Sequence, residues 1–174
     1  MATLAGLTVL SAVFLPEVAS FGWHLRHGDS VQFLAWDVPV PQGCIELRDS
    51  KSIIIQRIER WSDAPSDAIV TSLDLSVGVA MDRKQLMDGI IETQIKKGRH
   101  LMSEDEVELD GEMGSCLTFV EGEHSSVRWI DCNFPIHRLS VGYIGAEKHS
   151  HILNSIIKGI RPSGLPLGRM VQPS

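Results

Sequence analysis

The stretch from Gly111 to Pro162 limits the fold more than any other part of the chain. Ser115 to Glu121 and Ser126 to Asn133 read as two strands joined by a Gly-containing connection, Glu121 to Ser125. Arg138 to Ile144 reads as a third strand, broken by Gly145. Ala146 to Gly159 is then expected to be a helix, with Ile152, Leu153, Ile156, Ile157 and Ile160 on one face and Arg161-Pro162 as its stop. Three strands feeding one amphipathic helix need a second layer over the sheet, which calls for an α+β domain.

The earlier chain supplies more strands. Val31 to Trp36 and Ile45 to Leu47 have strand character. Between them Pro39 and Pro41 force extended backbone and remove ladder donors, which marks an edge or the start of a strand. Ser52 to Trp61 is rich in isoleucine, and Leu73, Leu75 and Val77 alternate with polar residues inside Ala68 to Val79. The Ser62–Asp67 segment is a turn signal. Arg83 to Lys97 places Leu86, Met87, Ile90, Ile91 and Ile95 on one helical face, with Asp82 as its N-cap and Gly98 closing it. Trp23 to Asp29 reads as a polar bend.

Gly111-Glu112-Met113-Gly114-Ser115, the strands after it and Leu153-Asn154-Ser155-Ile156-Ile157-Lys158 resemble one superfamily. It includes the photosystem II extrinsic subunit P family and the Ran-binding nuclear import factor of the same fold. Val38-Pro39-Val40-Pro41-Gln42-Gly43 is similar to the segment that opens these domains. The resemblance spans residues 30–162. It implies an α/β/α sandwich with a largely antiparallel central sheet and two main amphipathic helices, and a binding or assembly module instead of an enzyme. No functional residue of the superfamily has a match here.

Ala2 to Leu15 is uncharged and largely apolar, and shorter than the roughly 20 residues a helix needs to cross a bilayer. With Val18-Ala19-Ser20 behind it, the run has the form of a signal-peptide core cleaved after Ser20, although no Lys or Arg precedes it. The expected organisation is therefore an apolar leader at 1–20 (signal peptide or anchor), one domain at 21–162 and a flexible tail at 163–174. The expected location is the periplasm or cell envelope; the alternative is the cytoplasm.

Net charge is −6, which argues against a nucleic-acid partner. The carboxylates of Glu104 to Glu112 lack the ligand order of a Ca²⁺ loop and are expected to be a solvated edge. His24 with His27, and His149 with His151, have loose spacing for a metal. No catalytic motif, cofactor loop or metal motif occurs, so no catalytic, cofactor-binding or metal residue is assigned.

Three cysteines are present. If the Ser115–Asn133 hairpin turns near His124, Cys116 and Cys132 lie opposite each other, close enough for a disulfide in an oxidising compartment. Two buried thiols are the alternative, and Cys44 has no assigned role. Trp23 and Trp36, near the start of the domain, are candidate ligand or partner contacts. The functional expectation is a non-catalytic, exported module acting through a protein partner, with membrane association through the apolar segment a further option. The alternative is a small-molecule or lipid carrier with an apolar pocket between sheet and helix.

Overall fold

The computed structural model describes residues 17–49, 51–58, 66–73, 83–122 and 125–164. Residues 1–16 of the leader, Asp82, Leu75, Val77, Trp61, His124 and residues 165–174 of the tail lie outside the described residues.

The chain is α+β, with a mostly antiparallel sheet. Seven strands form the main sheet: β3 (Cys44–Arg48), β4 (Ser52–Arg57), β5 (Asp67–Ser72), β6 (His100–Leu109), β7 (Glu112–Val120), β8 (Val127–Phe134) and β9 (Leu139–Ala146). Their order is β3-β4-β5-β9-β8-β7-β6. Two meanders therefore meet where β5 pairs with β9, Ile69 opposite Gly142. A smaller sheet holds β1 (Ser30–Phe33), β2 (Trp36–Pro39) and β10 (Arg161–Pro162). Among the described residues there are three α-helices: α1 (residues 17–27), α2 (Arg83–Lys96) and α3 (His151–Gly159).

Alternation along the strands gives the main sheet two unlike faces. One carries Ile53, Ile55, Ala68, Val70, Val141 and Tyr143, which pack with Ile152, Leu153, Ile156, Ile157 and Ile160 of α3 and the residue after it. The other carries Leu117 and Phe119, against which Met87 of α2 is buried. Because the chain leaves β5 in mid-sheet and re-enters at the far edge, α2 lies over β6 and β7.

Several local readings need correction. Trp23 to His27 is the end of α1; Gly28, at φ 80°, stops that helix and its N–H donates to the His24 carbonyl. The Gly-Asp signal is thus a helix C-terminus. Val31 to Trp36 is not one strand, because a turn at Leu34-Ala35 splits it into β1 and β2. Gly145 does not break β9. A Cβ there would stand 2.7 Å from the Ser66 Cα, so the glycine permits close strand approach. Ala146 stays in β9, a 3-10 turn covers Glu147–His149, and α3 starts only at His151. Arg161-Pro162 does more than stop the helix, since it pairs with β2 as β10.

The acidic run is the edge strand β6, and Glu104, Asp105, Glu106 and Glu108 are exposed along it. Charge on an edge discourages pairing with another chain. Glu112, buried at the start of β7, accepts the backbone N–H groups of Ile136 and His137 at 2.8 Å each. It thereby holds the β8–β9 turn against the β6–β7 turn.

Candidate functional site

The residues that could meet a ligand gather on the α2 side of the sheet. In β8 the two-residue period places Trp129, Asp131 and Asn133 on that face, and in β9 it places Ser140, Gly142 and Ile144 there. Register sets Asp131 opposite Gly142 and Trp129 opposite Ile144. The C-terminal end of α2 and the residues after it bring Gln94, Lys97 and Arg99 across this surface. They enclose a cavity of about 230 Å³. A second, more open hollow of about 370 Å³ runs along α2 past Leu86, Gly89 and Thr93, and Gln94 and Asp131 border both.

Arg99 lies flat on Trp129, its guanidinium carbon 3.2 Å from the ring centroid. Such a contact contributes about 0.5–2 kcal/mol, more as water is excluded. Arg99 Nη1 also donates to Gln94 Oε1. Arg99 Nε and Trp129 Nε1 are both buried donors without a hydrogen-bond partner. Asp131 Oδ1 accepts from Ser140 Oγ at 3.0 Å and Asn133 Nδ2 at 3.1 Å. Burial pushes the Asp131 carboxyl above its ordinary pKa, and the hydrogen bonds from Ser140 and Asn133 only partly offset this. Asp67, on the same face, is also raised by burial, with Gln56 hydrogen bonding in opposition. The cavity lining therefore carries two cations, Lys97 and Arg99, and one carboxyl, Asp131. It is not the wholly apolar pocket expected of a lipid carrier.

The residues singled out in the sequence lie elsewhere. Cys116 and Cys132 are directly opposed in the β7–β8 register and form a disulfide, with Cα atoms 4.0 Å apart. They lie on the α3 side, and Cys44 is buried in the same core. Trp36 is 8% exposed and belongs to that core, with its ring edge-on to His137 at 4.8 Å. It offers a partner little surface. Trp23 is partly buried in α1 and stacks on His27 at 4.8 Å; no ring contact joins it to Trp36. His24 faces inward, with Nδ1 2.9 Å from Asp29 Oδ1. The His149 and His151 rings are 6.3 Å apart. Among the described residues no group of three or more His, Cys, Asp or Glu is arranged to hold a metal ion.

A second surface comes from α1. Its inner side holds buried Ser20, whose hydroxyl donates to the Cys44 carbonyl at 3.2 Å and accepts from the Gly43 N–H at 3.1 Å. Its outer side shows Val18, Phe21 and Leu25, which are 62%, 61% and 72% exposed. Their spacing makes one apolar stripe. No helix among the described residues is long and apolar enough to cross a membrane.

The fold has known relatives in three dimensions. The solution structure of cyanobacterial PsbP (CyanoP) from Synechocystis sp. PCC 6803 matches 74% of this chain and 86% of its own, with a TM-score of 0.50 at 11% identity. The crystal structure of PA94 from Pseudomonas aeruginosa, a protein of unknown function, matches 74% of this chain and 90% of its own, with a TM-score of 0.46 at 13% identity. The chain thus has a PsbP-like resemblance over about three quarters of its length. No protein-family profile and no curated protein sequence matches it.

The sequence reading missed Arg99, Asp131, Trp129, Gln94, Lys97 and Ser140 as a group. One signal was available: Trp129, Asp131 and Asn133 share the period of a strand face, and a carboxylate on such a face needs an explanation.

Proposed function

We propose that this chain is a non-catalytic binding module with the layered α/β/α arrangement of the PsbP-like fold, exported and held on a membrane surface by its N-terminal segment. There it presents its sheet domain to a protein partner. The single observation that carries the membrane contact is the exposed stripe of Val18, Phe21 and Leu25. In sequence the stripe comes three residues after the uncharged run Ala2 to Leu15, on a helix tied to the domain through Ser20. A helix of this kind lies in the plane of the interface with its apolar side among the acyl chains.

Within this reading the leader acts as an anchor. Cleavage after Ser20 would remove the turn whose hydroxyl ties α1 to Gly43 and Cys44. An oxidising location also suits the Cys116–Cys132 bond. The lipid-carrier alternative draws less support, because Asp131, Lys97 and Arg99 border the cavity.

Co-sedimentation of the full chain with vesicles of phosphatidylcholine and phosphatidylglycerol in equal parts tests the reading. The chain should pellet with the vesicles. Replacing Val18, Phe21 and Leu25 together by serine should weaken partitioning on the order of 100-fold. Unchanged partitioning would refute the membrane contact, as would a native protein whose N-terminus is Phe21. Cross-linking in native membranes followed by mass spectrometry should recover one recurrent protein partner; recovery of lipid alone would count against the partner.

A further inference from the structure

Gly142 is the residue in the cavity that most needs a reason. It sits in the middle of β9, where glycine weakens a strand because it has no side chain to pack and loses much freedom on folding. Its φ is not positive. A Cβ added there would meet only the Ile130 carbonyl at 3.5 Å and the Ile69 carbonyl at 3.9 Å, ordinary contact distances. Neither backbone geometry nor crowding requires glycine at this position. Gly114 and Gly145 differ, since a Cβ at either would come within 2.5 or 2.7 Å of a neighbour. What the missing side chain of Gly142 does provide is the open floor of the cavity, between Ile69 and Ile144.

The walls are chemically uneven. Two cations, Lys97 and Arg99, border the cavity, and among the described residues neither has a carboxylate within ion-pair distance. Two buried donors, Arg99 Nε and Trp129 Nε1, lack an acceptor. Neither atom has solvent-accessible surface, so an anion in the cavity meets the Lys97 and Arg99 charges and not these two donors. Asp131 is the one carboxyl in the lining. Its desolvation favours the protonated form, which adds a donor instead of a negative charge. The floor of Ile69, Gly142 and Ile144 is apolar, and it is recessed at the glycine.

We propose that this cavity binds a small organic anion: a carboxylate with a compact planar body, its charge against Lys97 and Arg99, its body on the glycine floor, and a hydroxyl reaching Asp131. Three features converge on this class: two cations without a carboxylate partner, an apolar floor opened at Gly142, and the Asp131 carboxyl in the same lining. The volume suits a single-ring molecule and is too small for a lipid chain.

The test uses the full chain, with 4-hydroxybenzoate as the probe and benzamidine as its cationic counterpart. Binding is read as the shift of the Trp129 indole N–H in ¹⁵N-edited NMR spectra, assigned with a Trp129→Phe variant. The probe should shift that signal saturably, and benzamidine should not. Arg99→Gln should weaken binding about tenfold, the loss of roughly one charge-assisted contact. Gly142→Val should abolish binding while the melting temperature holds or rises, since the added side chain fills a cavity on a strand that favours it. The melting temperature separates a blocked site from a damaged fold. If Gly142→Val unfolds the chain, Gly142→Ala answers the same question with a smaller intrusion and should weaken binding. No saturable shift with 4-hydroxybenzoate, equal binding of benzamidine, or unchanged affinity in a folded Gly142 variant would each overturn the proposal.

Discussion

The two faces of the main sheet are built on opposite terms. On the α3 side, Ile152, Leu153, Ile156, Ile157 and Ile160 are all buried against β-branched and aromatic residues of the sheet. On the α2 side, a longer helix buries only Met87, and Ile95 is 57% exposed. Ile90 and Ile91 are only partly buried against the same cluster, and polar ties add to them: Arg83 Nε donates to Ser115 at 2.7 Å and Arg83 Nη2 to Glu106 at 3.0 Å, while Arg99, just after the helix, covers Trp129. Dry packing is stiff and unforgiving of lost volume. A polar, partly open layer can be altered at less cost, and it leaves space that a ligand can use. The α3 face holds the dry core, and the α2 face carries the cavity proposed to bind an anion.

The sharpest way to break this contrast is to cut volume from the dry side. Ile156→Ala should destabilise the domain by about 2–5 kcal/mol, read by urea denaturation, because Ile156 is fully buried in the apolar core and its loss leaves a cavity. A loss well under this range would mean that the α3 layer is not the main core.

The disulfide comes next. It closes a loop with a sequence separation of 16, and serine at both Cys116 and Cys132 should cost about 3 kcal/mol. Thiol titration of the denatured, unreduced protein should find one reactive thiol; three would show that the bond does not form in solution. Glu112→Ala should cost about 1.5–3 kcal/mol, since it strands the Ile136 and His137 N–H groups. A neutral effect would mean that water replaces the carboxylate readily.

On the α2 side the expected effects are smaller, and two are gains. Burial raises the Asp131 pKa, so the folded chain keeps a proton over a pH range in which the unfolded chain has released it. The group's contribution is complete below the unfolded value of about 3.9 and is lost as pH rises through the folded value. Asp131→Asn should therefore be more stable than the parent at neutral pH, with the difference closing as pH falls toward the ordinary carboxylate range. Equal destabilisation at both ends of that range would show that the carboxylate is held by its hydrogen bonds. Gly89→Ala, at an exposed helical position with nothing within 4 Å of the added methyl, should stabilise by about 0.5–1 kcal/mol. A loss would place that glycine against something the helix touches.

The same contrast explains what could be read from the sequence. The α3 stripe and the Cys116–Cys132 opposition follow from local periods and a hairpin, so short-range pattern carried them. The α2 stripe from Leu86 to Ile95 had the same helical period but is only partly covered, because burial depends on where the crossover lands. The β5–β9 pairing joins residues far apart in sequence, and no local signal marks it. Asp131 and Gly142 face each other through the local β8–β9 register, but Arg99 reaches them only through the crossover, and Ile69 only through the β5–β9 pairing. Helix 17–27 was hidden because Gly28-Asp29 looks like a bend when read alone.

Native-state hydrogen exchange of the full chain tests the division of labour most directly, since it reads the opening energy of each element. The amides of α3 and of β4, β5 and β9 should exchange only through global unfolding, whereas Ile90, Ile91 and Thr93 of α2 should exchange through a smaller opening at lower denaturant dependence. Protection of α2 equal to that of α3 would contradict the account, because both faces would then belong to one rigid core.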